Sequence, residues 1–318
     1  MSLSVKKITK ILLPLILGGF LVWYSLSKIS IETLVQYFKN AKYSWIALGL
    51  FFGILSHLSR AYRWKFLLEP MGYKPNFGNS TMAVLVAYLV NYAVPRAGEV
   101  SRAAVMTNYE NIPFEKGFGT IVAERMADLL MMLSIVAITL FVQFDFIYQL
   151  LTKNFNPIKI SILLAGLVLF FVVFTRFVKK AQSGIGLKIK NFVVGLVEGL
   201  TSIFKMKHKW AFIFHTVFIW VMYVLMFWAT IPAIEGLQVP LGGVLIGFIA
   251  GGFAIAATNG GIGLYPVAVA GALALFGIAE EPATAFGWIM WTAQTAMIII
   301  FGGLAFLFLP IYNRNKKI

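Results

Sequence analysis

Residues 81–107 read TMAVLVAYLVNYAVPRAGEVSRAAVMT, and this stretch decides the architecture. The apolar run from Thr81 to Val94 covers roughly 21 Å as a helix, short of the roughly 30 Å of a bilayer core. It stops at Pro95, Arg96, Ala97, Gly98 and Glu99, where a proline, a glycine and two charges break a helix. Val100 to Thr107 then suit a short return helix. Irregular backbone at membrane depth survives only inside protein or facing a wet cavity, so the stretch predicts a re-entrant broken pair around a polar interior.

A second stretch has the same form. Leu241 to Ala257 carries five glycines, breaks at Asn259, Gly260, Gly261, Ile262 and Gly263, and resumes from Leu264 to Ile278. Around the two broken pairs lie six segments long enough to span: Ile8 to Leu26, Trp45 to Trp64, Gly117 to Phe141, Ile160 to Val178, Trp210 to Ile231 and Ala283 to Leu309. With 60% of residues apolar and 12% charged, no water-exposed domain of this size would stay soluble. The expected class is an all-α integral membrane protein of about six spanning helices plus two re-entrant broken helix pairs. Residues 1–318 form one membrane domain.

The net charge of +15 would suggest nucleic acid for a soluble chain, but in a membrane protein it reflects cytoplasmic loops. If both broken pairs return to their starting side, 21 of the 27 Lys and Arg fall on the N-terminal side and five on the other, with Arg125 within the membrane. Both termini then face the cytoplasm, and no nucleic-acid partner is implied. The opening run is read as a retained helix, since no small-residue cleavage site follows Leu26. The same topology sets residues 1–150 against a second repeat of opposite orientation that starts over 151–184 and resumes over 208–318. That is an inverted repeat, which favours a site near the midplane. The alternative is two glycine-rich packing kinks. Residues 185–207 hold a basic linker in which Ile185 to Phe204 suits an interfacial helix on an anionic leaflet, or else a solvated connection.

The chemistry concentrates at Arg60 and Arg63, at Arg96, Glu99 and Arg102, and at Glu124, Arg125 and Asp128. Glu124 lies roughly 10 Å along its helix, where an ionised group costs several kcal/mol unless paired or wetted. Spacings of three put Glu99 with Arg102, and Arg125 with Asp128, on shared faces, and a spacing of four does the same for Glu124 and Asp128. Arginine can hold a carboxylate and still offer donors to a phosphate. Arg60, Arg63, Arg96, Arg102 and Arg125 are therefore candidate headgroup ligands, and Glu99, Glu124 and Asp128 are orienting or proton-coupled acids. A purely structural ion-pair network is the competing reading, and both can hold. At the second break, Asn259, Gly260, Gly261, Gly263 and Tyr265 offer backbone amides and a hydroxyl, and close helix packing accounts for the glycines equally well. Asn91 is a weaker candidate. His57 and His215 within spans suit either proton relay or hydrogen-bonded packing. No cysteine is present, and no Walker loop, metal-ligand cluster or nucleophile elbow appears. No cofactor and no enzymatic activity are expected.

Four blocks in order carry a resemblance: Arg60, Ala61, Tyr62, Arg63, Trp64; then Pro95 to Glu99 with Arg102; then Glu124, Arg125 and Asp128; then Gly260 to Gly263. In these the chain resembles the transmembrane, flippase-type domain of lysylphosphatidylglycerol synthases and its stand-alone relatives. The resemblance implies movement of anionic, aminoacylated or polyprenyl-linked lipids between leaflets of a bacterial cytoplasmic membrane, with membrane lipids as partners. Ending at Ile318, the chain is expected to lack the soluble synthase domain and its activity. It also has Leu264, Tyr265 and Pro266 where family members often place an acid. The leading reading is a lipid translocase. A secondary transporter of a small anion, an intramembrane enzyme on a lipid-linked substrate, and a noncatalytic assembly partner stay open.

Overall fold

The computed structural model describes residues 5–154 except Pro95, a few helical residues between 165 and 190, and residues 206–315 except Asn259, with side chains from Ile16 onward. Of the span expected at Ile160 to Val178, residues 165, 166, 169, 170 and 172–176 are described and helical, whereas the interfacial helix expected at Ile185 to Phe204 lies almost wholly outside the described residues. Every regular element among the described residues is helical. The chain divides into two compact units, one of residues 1–122 and 210–318 and one of residues 123–209, and each is described by itself.

The first unit opens with α1 (Val5–Leu26) and a short amphipathic helix, α2 (Ile31–Asn40). Ser30 caps α2 by accepting from the Thr33 N–H at 3.0 Å, and Glu32 and Lys39 complement its dipole at either end. Nothing in the apolar pattern between Leu26 and Trp45 marks this helix, because ten residues leave few turns for a periodicity to register. Long α3 (Tyr43–Leu68) follows, closed by a single 3-10 turn. The first broken pair is α4 (Phe77–Ala93) and α5 (Gly98–Glu110), packed side by side. Asn76 caps α4 by accepting from the Gly78 and Asn79 N–H groups. α5 ends where Asn111 turns left-handed at φ 53°, a conformation asparagine tolerates better than most residues.

α6 (Phe114–Val142) passes from the first unit into the second, where α7 (Phe144–Asn154) follows it. Back in the first unit come α8 (Lys209–Thr230), the second broken pair of α9 (Leu241–Ala257) and α10 (Leu264–Ala274), and α11 (Glu280–Asn313). The order of long helix, broken pair and long helix thus occurs twice. Among the described residues four helices are long and apolar enough to cross a membrane: α3, α6, α8 and α11, the first and third with their 3-10 extensions. α1 is helical over 22 residues, about 33 Å. α11 outruns the expected segment at both ends, and at the first of them acidic Glu280 and Glu281 open its first turn favourably.

Two apolar clusters hold the first unit. One joins α8, α10 and α11 through Phe227, Phe286, Leu273 and Ile289; the other gathers Trp64, Leu68, Ala83, Met106 and Ile121. Near the second cluster, buried Asn79 and Asn313 exchange reciprocal amide hydrogen bonds of 2.8 and 2.7 Å, and Asn79 also donates to Glu110. The start of α4, the end of α5 and the end of α11 are thereby clasped together. α11 also reaches α1, where the Trp288 indole donates to Ser25 Oγ at 3.0 Å.

Candidate functional site

The first break is built from its backbone outward. α4 ends at Ala93, Arg96 takes a left-handed φ of 61°, and the Ala97 N–H returns to the Val94 carbonyl at 3.1 Å. Asn91 Oδ1 then accepts from the Gly98 N–H at 2.8 Å, tying the first residue of α5 to α4. A side chain at Gly98 would collide with the Ala87 carbonyl and Asn91. This glycine is therefore required for the return helix to lie so close. Asn91, read from sequence as a weak ligand, is the side chain that closes the break. Arg96 is exposed and Glu99 is half-buried in the first turn of α5.

Three of the named arginines are buried in this unit: Arg60 at 3% exposure, Arg63 at 0% and Arg102 at 4%. Arg63 Nη1 donates to Thr216 Oγ1 at 2.8 Å, and its guanidinium lies 5.2 Å from the Phe212 ring. Arg102 stacks on Trp64 with its guanidinium carbon 3.8 Å from the ring centroid, a contact worth about 2 kcal/mol when desolvated. The Trp64 indole donates in turn to Thr120 Oγ1 at 2.8 Å. Buried cations held this way are fixed in position, which suits recognition of a planar or tetrahedral anion. None of Arg60, Arg63, Glu99 and Arg102 is without a partner.

Past Val122, in the second unit, α6 carries Glu124 and Asp128, both buried, and Arg125, exposed. The two acids sit one turn apart on one face, as their spacing of four requires. Among the described residues no group of three or more His, Asp or Glu could hold a metal ion.

At the second break Asn259 is outside the described residues. Gly260, Gly261 and Gly263 all have positive φ, at 65°, 82° and 68°. The Gly260 carbonyl accepts from the Trp291 indole at 2.8 Å, and Tyr265 is buried. A Cβ on Gly263 would lie 2.6 Å from the Val22 backbone nitrogen, so α1 touches the break directly. A Cβ on Gly260 would run into the Tyr92 ring. The structure thus brings the end of α4, two residues before the first break begins, onto the second break. Tyr92, whose hydroxyl lies 3.2 Å from Thr295 Oγ1, is the residue the sequence reading missed. Its one signal is the spacing of Tyr88 and Tyr92, which places both hydroxyls on one face of α4.

The model of the family described as the lysylphosphatidylglycerol synthase TM region matches residues 11–302. A UPF0104 membrane protein of Methanocaldococcus jannaschii is 30% identical over 125 residues, covering 38% of this chain and 37% of that one. Glycosyltransferase AglD of Haloferax volcanii is 32% identical over 88 residues, covering 27% of this chain and 14% of that one. The matched stretches thus span well under half the length of either relative. No solved structure matches the chain significantly.

Proposed function

The chain belongs to the family of the lysylphosphatidylglycerol synthase TM region, a multi-pass membrane family, and from that premise we propose that it moves an anionic or polyprenyl-linked lipid between leaflets. The observation that carries this reading is the burial of Arg60, Arg63 and Arg102 within one unit of a strongly apolar chain. A cation at membrane depth is expensive and marks a path for a charged substrate. Arg63 is braced by Thr216 and Arg102 by Trp64, and braced guanidinium groups can meet a phosphate without reorganising.

In this proposal Arg60, Arg63, Arg96 and Arg102 attract the phosphate and Glu99 orients them. On α6, Arg125 is a further cation, and Glu124 and Asp128 are acids that keep a polar surface in the apolar span. Gly260, Gly261, Gly263 and Tyr265 give the second break its exposed backbone and hydroxyl. The broken pairs are the elements that rearrange between the two access states, in line with repeats of opposite orientation. Both termini lie on the cytoplasmic side. We read the chain as a translocase and not an enzyme. The name of the Haloferax relative describes that protein, of which only a small part is matched.

Reconstitution into liposomes that carry a fluorescent anionic phospholipid tests the proposal. Wild-type protein should carry the label across the bilayer far faster than protein-free vesicles. Arg102→Met should slow it by about tenfold or more, as loss of one charge-assisted contact in a dry site implies. Correctly inserted protein that leaves the label in its original leaflet would overturn the reading. Uptake of a soluble anion without lipid movement would instead favour a secondary transporter.

A further inference from the structure

A second polar feature, uncharged in itself, begins one turn before Arg60 on α3. His57, half-way along α3, is 6% exposed, and its Nδ1 is buried with no hydrogen-bond partner among the described residues. Its ring centroid lies 4.6 Å from that of Tyr88 on α4 and 6.1 Å from that of Tyr223 on α8. The hydroxyls of those two tyrosines are 3.3 Å apart. Against the other side of Tyr223, 6.1 Å between ring centroids, sits Trp220, whose indole N–H is likewise buried with no partner among the described residues. One turn along α4 from Tyr88, Tyr92 pairs with Thr295 and closes on Gly260 of the second break.

Packing alone does not call for this arrangement. Phenylalanine at positions 88, 92 and 223 and leucine at 57 would fill the same volume with no polar group to satisfy. A buried polar atom without a partner costs about 1–3 kcal/mol, and two such atoms around one tyrosine cluster mark a place where water enters. The line from His57 through the Tyr88–Tyr223 pair and then Tyr92 reaches the second break. The charged and titratable groups facing His57 are Arg60, one turn on along its own helix, Tyr88 from α4 and Tyr223 from α8.

We propose that His57 is a proton-binding site and that the hydroxyls of Tyr88, Tyr223 and Tyr92, bridged by water, carry its proton to the second break. The imidazole nitrogen takes a proton from water on one side, becomes imidazolium, and returns it to water on the other. Along the relay each hydroxyl and water accepts one proton and gives up its own, so every O–H bond formed is matched by one broken and no net charge is left behind. The inference rests on the lipid-translocase reading and gives that activity an energy source, one proton moving with each lipid.

The experiment uses the full chain in liposomes with the fluorescent anionic phospholipid, the membrane potential clamped to zero, and a pH difference of one unit imposed. Coupling of one proton to one lipid drives the label toward about tenfold enrichment in one leaflet, whereas uncoupled movement leaves it even. Wild type should enrich the label, and His57→Gln should bring it to an even distribution whatever its rate. Label that never crosses in wild type defeats the translocase reading itself. Label that crosses but stays even under the gradient overturns the proton site alone, as does His57→Gln protein that still enriches. Should His57→Gln fail to insert, the shape-conserving pair Tyr88→Phe and Tyr223→Phe decides. It should slow the approach to the enriched state by about tenfold or more, and an unchanged rate overturns the proposal.

Discussion

Arg96 holds φ at 61°, a region that costs an ordinary L-residue roughly 1–2 kcal/mol and glycine almost nothing. The strain sits in an exposed residue at the first break, so nothing in the packing demands that side chain. Arg96→Gly should leave thermal stability in detergent unchanged, or raise it by up to about 1 kcal/mol, while lipid movement falls. A fall in both would show that the side chain braces the fold instead. The candidate charges themselves were legible in the sequence because ions are rare in apolar runs. Their holders were not: that Arg102 stacks on Trp64 and that Arg63 donates to Thr216 depend on side chains from other helices, which local spacing does not reveal. Helical spacing put Glu124 and Asp128 one turn apart, both buried, while Arg125 between them is exposed.

Among the elements, the two broken pairs were the most readable, since proline, glycine and charge interrupt each apolar run within a few residues. The short helices α2 and α7 left no comparable trace. What the pattern did not disclose is that the end of α4 touches the second break, through the Tyr92 ring on Gly260, a contact between residues far apart in the chain. Gly263 is the position where this matters most for stability, because its φ of 68° and the nearby α1 backbone both exclude a side chain. Gly263→Ala should cost on the order of 1–3 kcal/mol, read as a lower melting temperature. Cysteine crosslinking between α1 and α10 should weaken with it. Unchanged stability would mean that α1 can move aside freely.

For the molecule as a whole, the all-helical membrane class followed from composition and run length alone, and the family blocks pointed the same way. Orientation rests on the distribution of lysine and arginine, which makes it directly measurable. The chain has no native cysteine, so single cysteines can be introduced without background. A cysteine at Lys39 should react with an impermeant thiol reagent from outside intact cells, and one at Lys74 only after permeabilisation. The reverse pattern would invert the topology.

The bond between Trp288 and Ser25 spans 263 residues of sequence, and Gly263 meets Val22 across a similar distance. During synthesis α1 emerges first, yet its partners on α10 and α11 are made last. At roughly 5–20 residues per second, α1 waits on the order of 13–50 s in the bilayer before α11 arrives. For that interval it must be sheltered by lipid or by the insertion machinery, which makes the arrival of α11, and not the insertion of α1, the step at which this unit acquires its core.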